Sequence, residues 1–81
     1  GFERSPIEQL ATAIGKLQIY RFVLDKLGQL IPLWLAVPDF AYEGILTEQI
    51  GLTMREQNKI DLLVFSVERE EIVAWIPYER P

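Results

Sequence analysis

The feature that most constrains this chain is an unbroken apolar run at residues 33–37 (LWLAV), which ends at Pro38. A strand with one face in water alternates apolar and polar residues. This run does not alternate, so it predicts a strand buried on both faces inside a parallel sheet. Such a strand needs a neighbour on each edge, but the chain offers only two further strand candidates, both downstream. The run therefore predicts an open edge, and the chain is either one part of a larger α/β unit or is completed by a partner. The residues of this predicted partner edge are Leu33, Trp34, Leu35 and Val37.

Length and composition favour a single domain and exclude several kinds of chemistry. The chain has 81 residues, 49% of them hydrophobic, which is enough for one small core. It contains neither cysteine nor histidine, so disulfides, thiolate nucleophiles, imidazole bases and Cys/His metal sites are excluded. No apolar run reaches the length of a membrane span, and no signal peptide opens the chain. We expect a cytoplasmic protein without a cofactor or a bound metal.

One long helix is predicted at the start of the chain. Ser5, Pro6 and Glu8 occupy the positions of an N-cap, a first-turn proline and a capping-box acid. Apolar residues follow at steps of three and four, and Gly28 stands where a left-handed residue would end the helix. The expected helix has about 22 residues and is roughly 33 Å long.

Two shorter helices are predicted in the middle of the chain. Asp39 is expected to cap a short helix that Gly44 ends, and Thr47 to cap a second helix that runs to about Gln57. Spacing predicts which residues of the second helix face inward. They are Ile50 and Met54.

Two strands are predicted in the last third of the chain. Strands are expected at residues 62–67 and 72–76, joined by a charged turn at 68–71. The strand at 33–37 and the strand at 62–67 flank the helices, so they should run parallel, and the last strand should return antiparallel. The predicted fold class is therefore α/β, with a small mixed β-sheet, a long N-terminal helix and a βαβ crossover.

Charge is distributed unevenly along the chain. Residues 1–38 carry four basic and three acidic side chains, a net charge of +1, whereas residues 39–81 carry four and nine, a net charge of −5. Lys16 and Tyr20 are four residues apart on one helix face, with Arg21 beside them. These three residues are the candidate nucleic-acid site, through a weak phosphate contact. The alternative is a partly exposed helix edge without a DNA role. This alternative is favoured because the site has only three such residues.

The other conspicuous side chains receive structural interpretations. Glu68, Glu70 and Glu71 lack the spacing of a calcium loop, so a solvated turn is expected there rather than a metal site. Trp34 and Trp75 fall inside strand candidates and are expected to pack in the core. No pair of carboxylates has the arrangement of a general acid and base, so no catalytic residue is assigned.

Six short motifs follow one another along the chain. They are 13–21 (AIGKLQIYR), 35–38 (LAVP), 41–43 (AYE), 50–51 (IG), 63–65 (LVF) and 75–77 (WIP). In this order they cover nearly the whole sequence, and together they resemble the XisH-type fdxN-element excision controlling factors.

The resemblance implies a relative of the restriction-endonuclease (PD-(D/E)XK) fold. In that fold the strands with the metal-binding acids and the catalytic lysine precede the long helix. The resemblance thus implies that residues 1–81 form one partial nuclease-like domain, the C-terminal part, and that the missing strands would pair with residues 33–37. Related nucleases place glutamine four residues before the tyrosine of this helix. Here Lys16 stands at that position and Tyr20 is kept, and a lysine lacks the hydrogen-bond acceptor of an amide.

Three hypotheses for function follow. The first is an accessory or controlling factor of DNA-element excision, without catalysis of its own, that acts with a protein partner. The resemblance implies an XisI-type partner, and a homodimer is the other possibility. The second is a part of a PD-(D/E)XK-type nuclease whose metal-binding strands are missing here. The third is an assembly module that dimerises through the strand edge at 33–37. Whether the chain is an enzyme stays open, and we expect no enzymatic activity from this chain alone.

Overall fold

The computed structural model describes residues 5–78, and the chain divides into two compact units, Gly1–Leu33 and Trp34–Pro81. The elements in chain order are α1 (Pro6–Lys26), β1 (Trp34–Pro38), α2 (Asp39–Glu43), a 3₁₀ helix (Ile45–Thr47), α3 (Gln49–Gln57), β2 (Asp61–Ser66) and β3 (Glu71–Ile76). The predicted α/β order of elements is confirmed. Among the described residues, the structure contains no helix both long and apolar enough to cross a membrane.

Helix α1 begins and ends as the sequence predicts. The Ser5 hydroxyl oxygen accepts a hydrogen bond from the N–H of Glu8 at 3.3 Å, and Pro6 is the first helical residue. At the other end Gly28 has a left-handed φ of 70°. The N–H groups of Gly28 and of the residue after it donate to carbonyls in the last turn, which satisfies two helix-end acceptors. The helix contains 21 residues.

The second unit contains a three-stranded mixed sheet in the order β1-β2-β3. Strand β1 pairs with β2 in parallel, through the connection that contains α2 and α3, and β3 pairs with β2 in an antiparallel direction. The predicted mixed sheet and βαβ connection are confirmed, although β2 and β3 each begin one residue earlier than predicted. The middle strand β2 is the most buried, with Leu62 at 0% and Val64 at 3% exposure.

Strand β1 differs from its prediction in position and in burial. It spans Trp34–Pro38 rather than 33–37, and Leu33 precedes it. It lies at one end of the three-stranded sheet beside β2. Only Val37 of its five residues is buried, and both Trp34 and Ala36 are exposed. The expectation of a strand buried on both faces is therefore wrong. The run is uniformly apolar because one face of the sheet is packed and the other is apolar but exposed.

Both predicted caps in the crossover are wrong. Asp39 is the first residue of α2 rather than its cap, and its carboxylate accepts a hydrogen bond from the N–H of Phe40 at 2.8 Å. Thr47 lies in the 3₁₀ helix, where its hydroxyl donates to two preceding carbonyls, and Glu48 takes the N-cap position of α3. Threonine hydroxyls compete in this way for local backbone acceptors, so a cap assigned from residue type alone can fail. Gly44 follows the end of α2 as predicted.

The inward face of α3 is offset by one residue from the prediction. Ile50 is 45% exposed and Met54 is half-buried, whereas the buried residues are Gly51 and Arg55. A Cβ at position 51 would overlap the carbonyl oxygen of Ile45. Helix α3 therefore lies backbone to backbone against the 3₁₀ helix, and this close approach requires glycine.

Candidate interaction surfaces

Strand β1 exposes one edge of the sheet. Its other edge pairs with β2 over its whole length, from Trp34 opposite Asp61 to Pro38 opposite Phe65. Among the described residues no strand pairs with the free edge. None of the five residues of β1 is charged, so the usual protection of an edge strand by lysine or glutamate is absent. The free edge can therefore accept an added strand.

One face of the sheet is apolar and exposed. Leu63 of β2 lies between Ala36 of β1 and Trp75 of β3, so these three side chains share a face. The rings of Trp34 and Trp75 meet edge to face there, with their centroids 5.1 Å apart and an interplanar angle of 88°. We call Trp34, Ala36, Leu63 and Trp75 the tryptophan face.

The two tryptophans are not core residues. Trp34 is 36% exposed and Trp75 is 55% exposed, so the prediction that both pack in the core is wrong. Tryptophan carries a large apolar area, and such area at a surface is typical of interaction sites. The opposite face contains the buried residues Val37, Leu62 and Val64, which alternate with the residues of the tryptophan face.

Helix α1 has an exposed apolar stripe. Ile19, Val23 and Leu27 are spaced four residues apart and are 61%, 46% and 65% exposed. We call these three residues the outer stripe. Lys16 and Tyr20 are exposed on the same side of the helix. The outer stripe is therefore an apolar surface with a lysine and a tyrosine beside it.

The flank of the outer stripe adds a second cation. Phe22 is 61% exposed, and the ammonium nitrogen of Lys26 lies 5.5 Å from the centroid of its ring. The buried residues of α1, Leu10 and Leu17, lie seven residues apart on the other side of the helix. Helix α1 is thus apolar on two sides.

The three residues of the predicted nucleic-acid site do not share one face. Lys16 and Tyr20 are exposed together, but Arg21 is half-buried and lies about 140° around the helix from Lys16. Arg21 instead lines an open groove with Asp25 and Leu30. The surroundings of Lys16 and Tyr20 are mostly apolar. The weak phosphate contact by these residues stays a prediction.

Arg55 is a buried residue that the sequence reasoning did not single out. It is 8% exposed, and its Nε donates a hydrogen bond to the carbonyl of Ile60 at 3.3 Å. One terminal nitrogen donates to the carbonyls of Ile76 and Pro77 at 2.8 and 2.9 Å. These bonds join α3 to the start of β2 and the end of β3. Its position four residues after Gly51 is the spacing that could have placed it on the inward face.

Two acidic residues of the second unit make contacts within the fold, Asp61 and Glu71. Within residues 5–78 no group of three or more acidic side chains is placed to hold a metal ion. Asp61 is buried, and its carboxylate accepts a hydrogen bond from the N–H of Tyr78 at 3.1 Å. Arg69, in the exposed turn between β2 and β3, forms a salt bridge at 3.2 Å with Glu71, the first residue of β3. The exposed turn is as predicted, except that residue 71 belongs to β3.

Comparisons with known proteins agree on one family. The family model described as XisH protein matches residues 2–73. Two solved structures match with a TM-score of 0.80 each. One is an XisH family protein from Nostoc punctiforme, 31% identical, and the other is an fdxN element excision controlling factor protein from Anabaena variabilis, 32% identical. No curated protein matches.

The matched region is most of this chain but only part of each relative. The alignments cover 91% of this chain, against 58% and 57% of the two solved relatives. The chain therefore spans less than three fifths of the length of these relatives.

Proposed function

Because the chain belongs to the XisH family, we propose that it is an accessory factor of DNA-element excision that binds a protein partner and has no catalysis of its own. The solved relative from Anabaena variabilis is described as an excision controlling factor, which supports the role in excision. The observation that carries the proposed mode of action is the free, uncharged edge of β1. A partner strand would pair with the backbone N–H and C=O groups of this edge.

The partner and the fold are part of the same proposal. The family resemblance favours an XisI-type protein as the partner, and a second copy is the alternative. We place residues 1–81 as one partial domain of the restriction-endonuclease-like fold, the C-terminal part. The unpaired edge of β1 among the described residues supports this placement, because further strands of the same sheet could pair with its backbone N–H and C=O groups. The alternative function is a part of a PD-(D/E)XK-type nuclease whose metal-binding strands lie outside this chain.

The edge proposal predicts a complex that protects β1. We expect this chain and an XisI-type protein to form a complex in analytical ultracentrifugation. Amide hydrogens of β1 should exchange more slowly in the complex than in the chain alone. The variant Ala36→Lys should weaken the complex by about tenfold or more, because a lysine on an edge strand opposes strand addition. Ala36 is exposed, so the variant should fold.

Val67→Lys is the matched control for this experiment. Val67 is exposed and lies outside the strands, so its lysine should leave the complex unchanged. A complex that forms without slower exchange in β1, or that tolerates Ala36→Lys, would contradict the edge proposal. Absence of any complex with the XisI-type protein would contradict the proposed partner.

The accessory role also predicts no nuclease activity. Phosphodiester hydrolysis by this class of fold uses a metal ion held by acidic residues, and residues 5–78 offer no such group. Pure protein incubated with supercoiled and linear DNA, with Mg²⁺ or Mn²⁺, should leave both intact. Nicking that follows the protein peak through purification and is lost with EDTA would contradict this prediction. The nuclease alternative also predicts intact DNA in this experiment, because its metal-binding strands lie outside this chain.

A further inference from the structure

We propose that the outer stripe of α1 is a docking site for an acidic amphipathic helix of a protein partner. The three aliphatic side chains of the stripe receive the apolar side of that helix. Lys16 and Lys26 pair with carboxylates that flank the apolar side. The site lies within α1 alone, so it goes beyond the proposed binding of a strand to β1 and does not rest on it.

The side of α1 that contains the outer stripe is basic as well as apolar. At about 100° per residue, six residues of the range 16–27 lie within about 60° of Val23 around the helix axis. They are Lys16, Ile19, Tyr20, Val23, Lys26 and Leu27. Two of these six are basic and none is acidic. Asp25, the acidic residue of this range, lies about 160° away from Val23.

These six residues are available to a partner. All of them are exposed. Within residues 5–78 neither Lys16 nor Lys26 forms a salt bridge with a carboxylate. The connection that follows α1 lies on another side of the helix, where Leu30 lines a groove with Arg21 and Asp25. A contiguous apolar surface that nothing in its own unit covers is typical of an interaction site.

The backbone of α1 favours a helix rather than a strand as the cover. Inside a helix the N–H and C=O groups already bond to each other, so an added strand would find no backbone partner on this surface. Side chains four residues apart form a ridge, and such a ridge packs into a groove of another helix. From Ile19 to Leu27 the stripe is about 12 Å long, so a partner helix of about two turns covers it.

Charge selects among such helices. Lys16 and Lys26 are ten residues apart, which is about 15 Å along the helix axis. Carboxylates on a partner helix at a similar spacing lie beside both ammonium groups, whereas a basic partner helix is repelled. Duplex DNA fits this surface less well. Its phosphates would contact the lysines but leave the three aliphatic side chains of the stripe in water.

Two synthetic helical peptides test the site. Both have leucines at the apolar positions of about three heptads, flanked by glutamates in one peptide and by lysines in the other. Fluorescence anisotropy of the dye-labelled peptides measures their binding to the complete chain. The glutamate peptide should bind at least about tenfold more tightly than the lysine peptide. A glutamate peptide that does not bind at concentrations up to about 1 mM would overturn the proposal.

Charge reversal on α1 should invert this preference. A double variant, Lys16→Glu with Lys26→Glu, should bind the lysine peptide more tightly than the glutamate peptide. Lys59→Glu with Arg69→Glu is the matched control. It changes the net charge by the same amount at two exposed sites outside α1, so it should keep the preference of the parent chain. Equal loss of the preference in both double variants would show that only total charge matters, which also overturns the proposal.

The apolar part of the site has its own test. Val23→Ser should weaken binding of the glutamate peptide by about tenfold, because the docked helix would no longer bury the valine side chain. Val67→Ser, at an exposed site outside the helices and strands, should leave binding unchanged. Both substitutions are at exposed positions, and circular dichroism checks that the variants fold. Equal binding by Val23→Ser and the parent chain would show that the stripe is not part of the site.

Duplex DNA is the competing ligand for the same lysines. If DNA binds the parent chain more tightly than the glutamate peptide does, and Lys16→Glu with Lys26→Glu removes that affinity, the surface belongs to nucleic acid and the proposal is wrong. Equal weak binding of DNA to the parent chain and to this double variant supports the helix site. None of these outcomes bears on the complex through β1.

Discussion

Gly51→Ala is expected to destabilise the protein by about 3 kcal/mol, a large fraction of the stability of a small domain. The added Cβ would overlap the carbonyl oxygen of Ile45 and lie 2.9 Å from the Cα of Leu46. Both neighbours are backbone, so no side-chain rotation can relieve the overlap. The better helix propensity of alanine, about 1 kcal/mol, offsets only part of this cost. Urea unfolding followed by circular dichroism measures the change.

Gly15→Ala is the matched control for this prediction. Gly15 also lies inside a helix, but a Cβ there would meet nothing within 4 Å. Its replacement by alanine should stabilise the protein by up to about 1 kcal/mol through helix propensity. The same substitution should therefore have opposite signs at the two positions. Equal unfolding midpoints for Gly51→Ala and the parent chain would show that α3 and the 3₁₀ helix do not touch at this glycine.

Helix α1 shows what sequence predicts well. Its start depends on Ser5 and Pro6 and its end on Gly28, and each of these acts through its own backbone and the adjacent turn. Such signals act locally, so the rest of the fold does not change where they place the helix ends. The order of the strands around the crossover was also predictable, because a helical connection between two strands favours parallel pairing.

The burial of β1 shows where sequence reasoning fails. Residues 33–37 are uniformly apolar, and the hydrophobic pattern alone cannot distinguish a strand buried on both faces from one whose second apolar face is exposed. The structure shows which side is exposed, because Trp34 and Ala36 are exposed whereas Val37 is buried. Trp75 was assigned to the core for the same reason. Exposed tryptophans and an apolar run together can indicate a surface that a partner covers.

The inward face of α3 was missed for a different reason. Periodicity analysis counts apolar residues, and it selected Ile50 and Met54. The residues that face inward are Gly51 and Arg55, one position later in each case. Glycine is buried here because its lack of a side chain allows close backbone contact, and arginine is buried because its N–H groups donate hydrogen bonds to carbonyls. Neither residue is apolar, so neither contributes to an apolar pattern.

The candidate nucleic-acid residues on α1 were predicted in part. The shared exposed face of Lys16 and Tyr20 follows from helical spacing, whereas the partial burial of Arg21 does not.

Arg55→Met is expected to lower the free energy of unfolding by about 3 kcal/mol, because hydrogen bonds from a charged donor to buried or part-buried acceptors are among the stronger ones. The carbonyls of Ile60, Ile76 and Pro77 would lose their donor, and methionine keeps most of the apolar volume. Arg69→Met is the matched control. The side chain of Arg69 is 63% exposed, so its salt bridge to Glu71 contributes little and its removal should change stability by less than about 1 kcal/mol.

Arg55→Lys then separates the geometry of the guanidinium from its charge. A lysine keeps the positive charge but has one compact ammonium, whereas Arg55 reaches the start of β2 and the end of β3 with different nitrogens. If the planar fork joins these strands, Arg55→Lys should recover less than half of the stability that Arg55→Met loses. Amide exchange near Ile76 should then be faster in both variants than in Arg69→Met. Full recovery by lysine would show that the buried charge, rather than the hydrogen bonds to three separate carbonyls, holds α3 against the sheet.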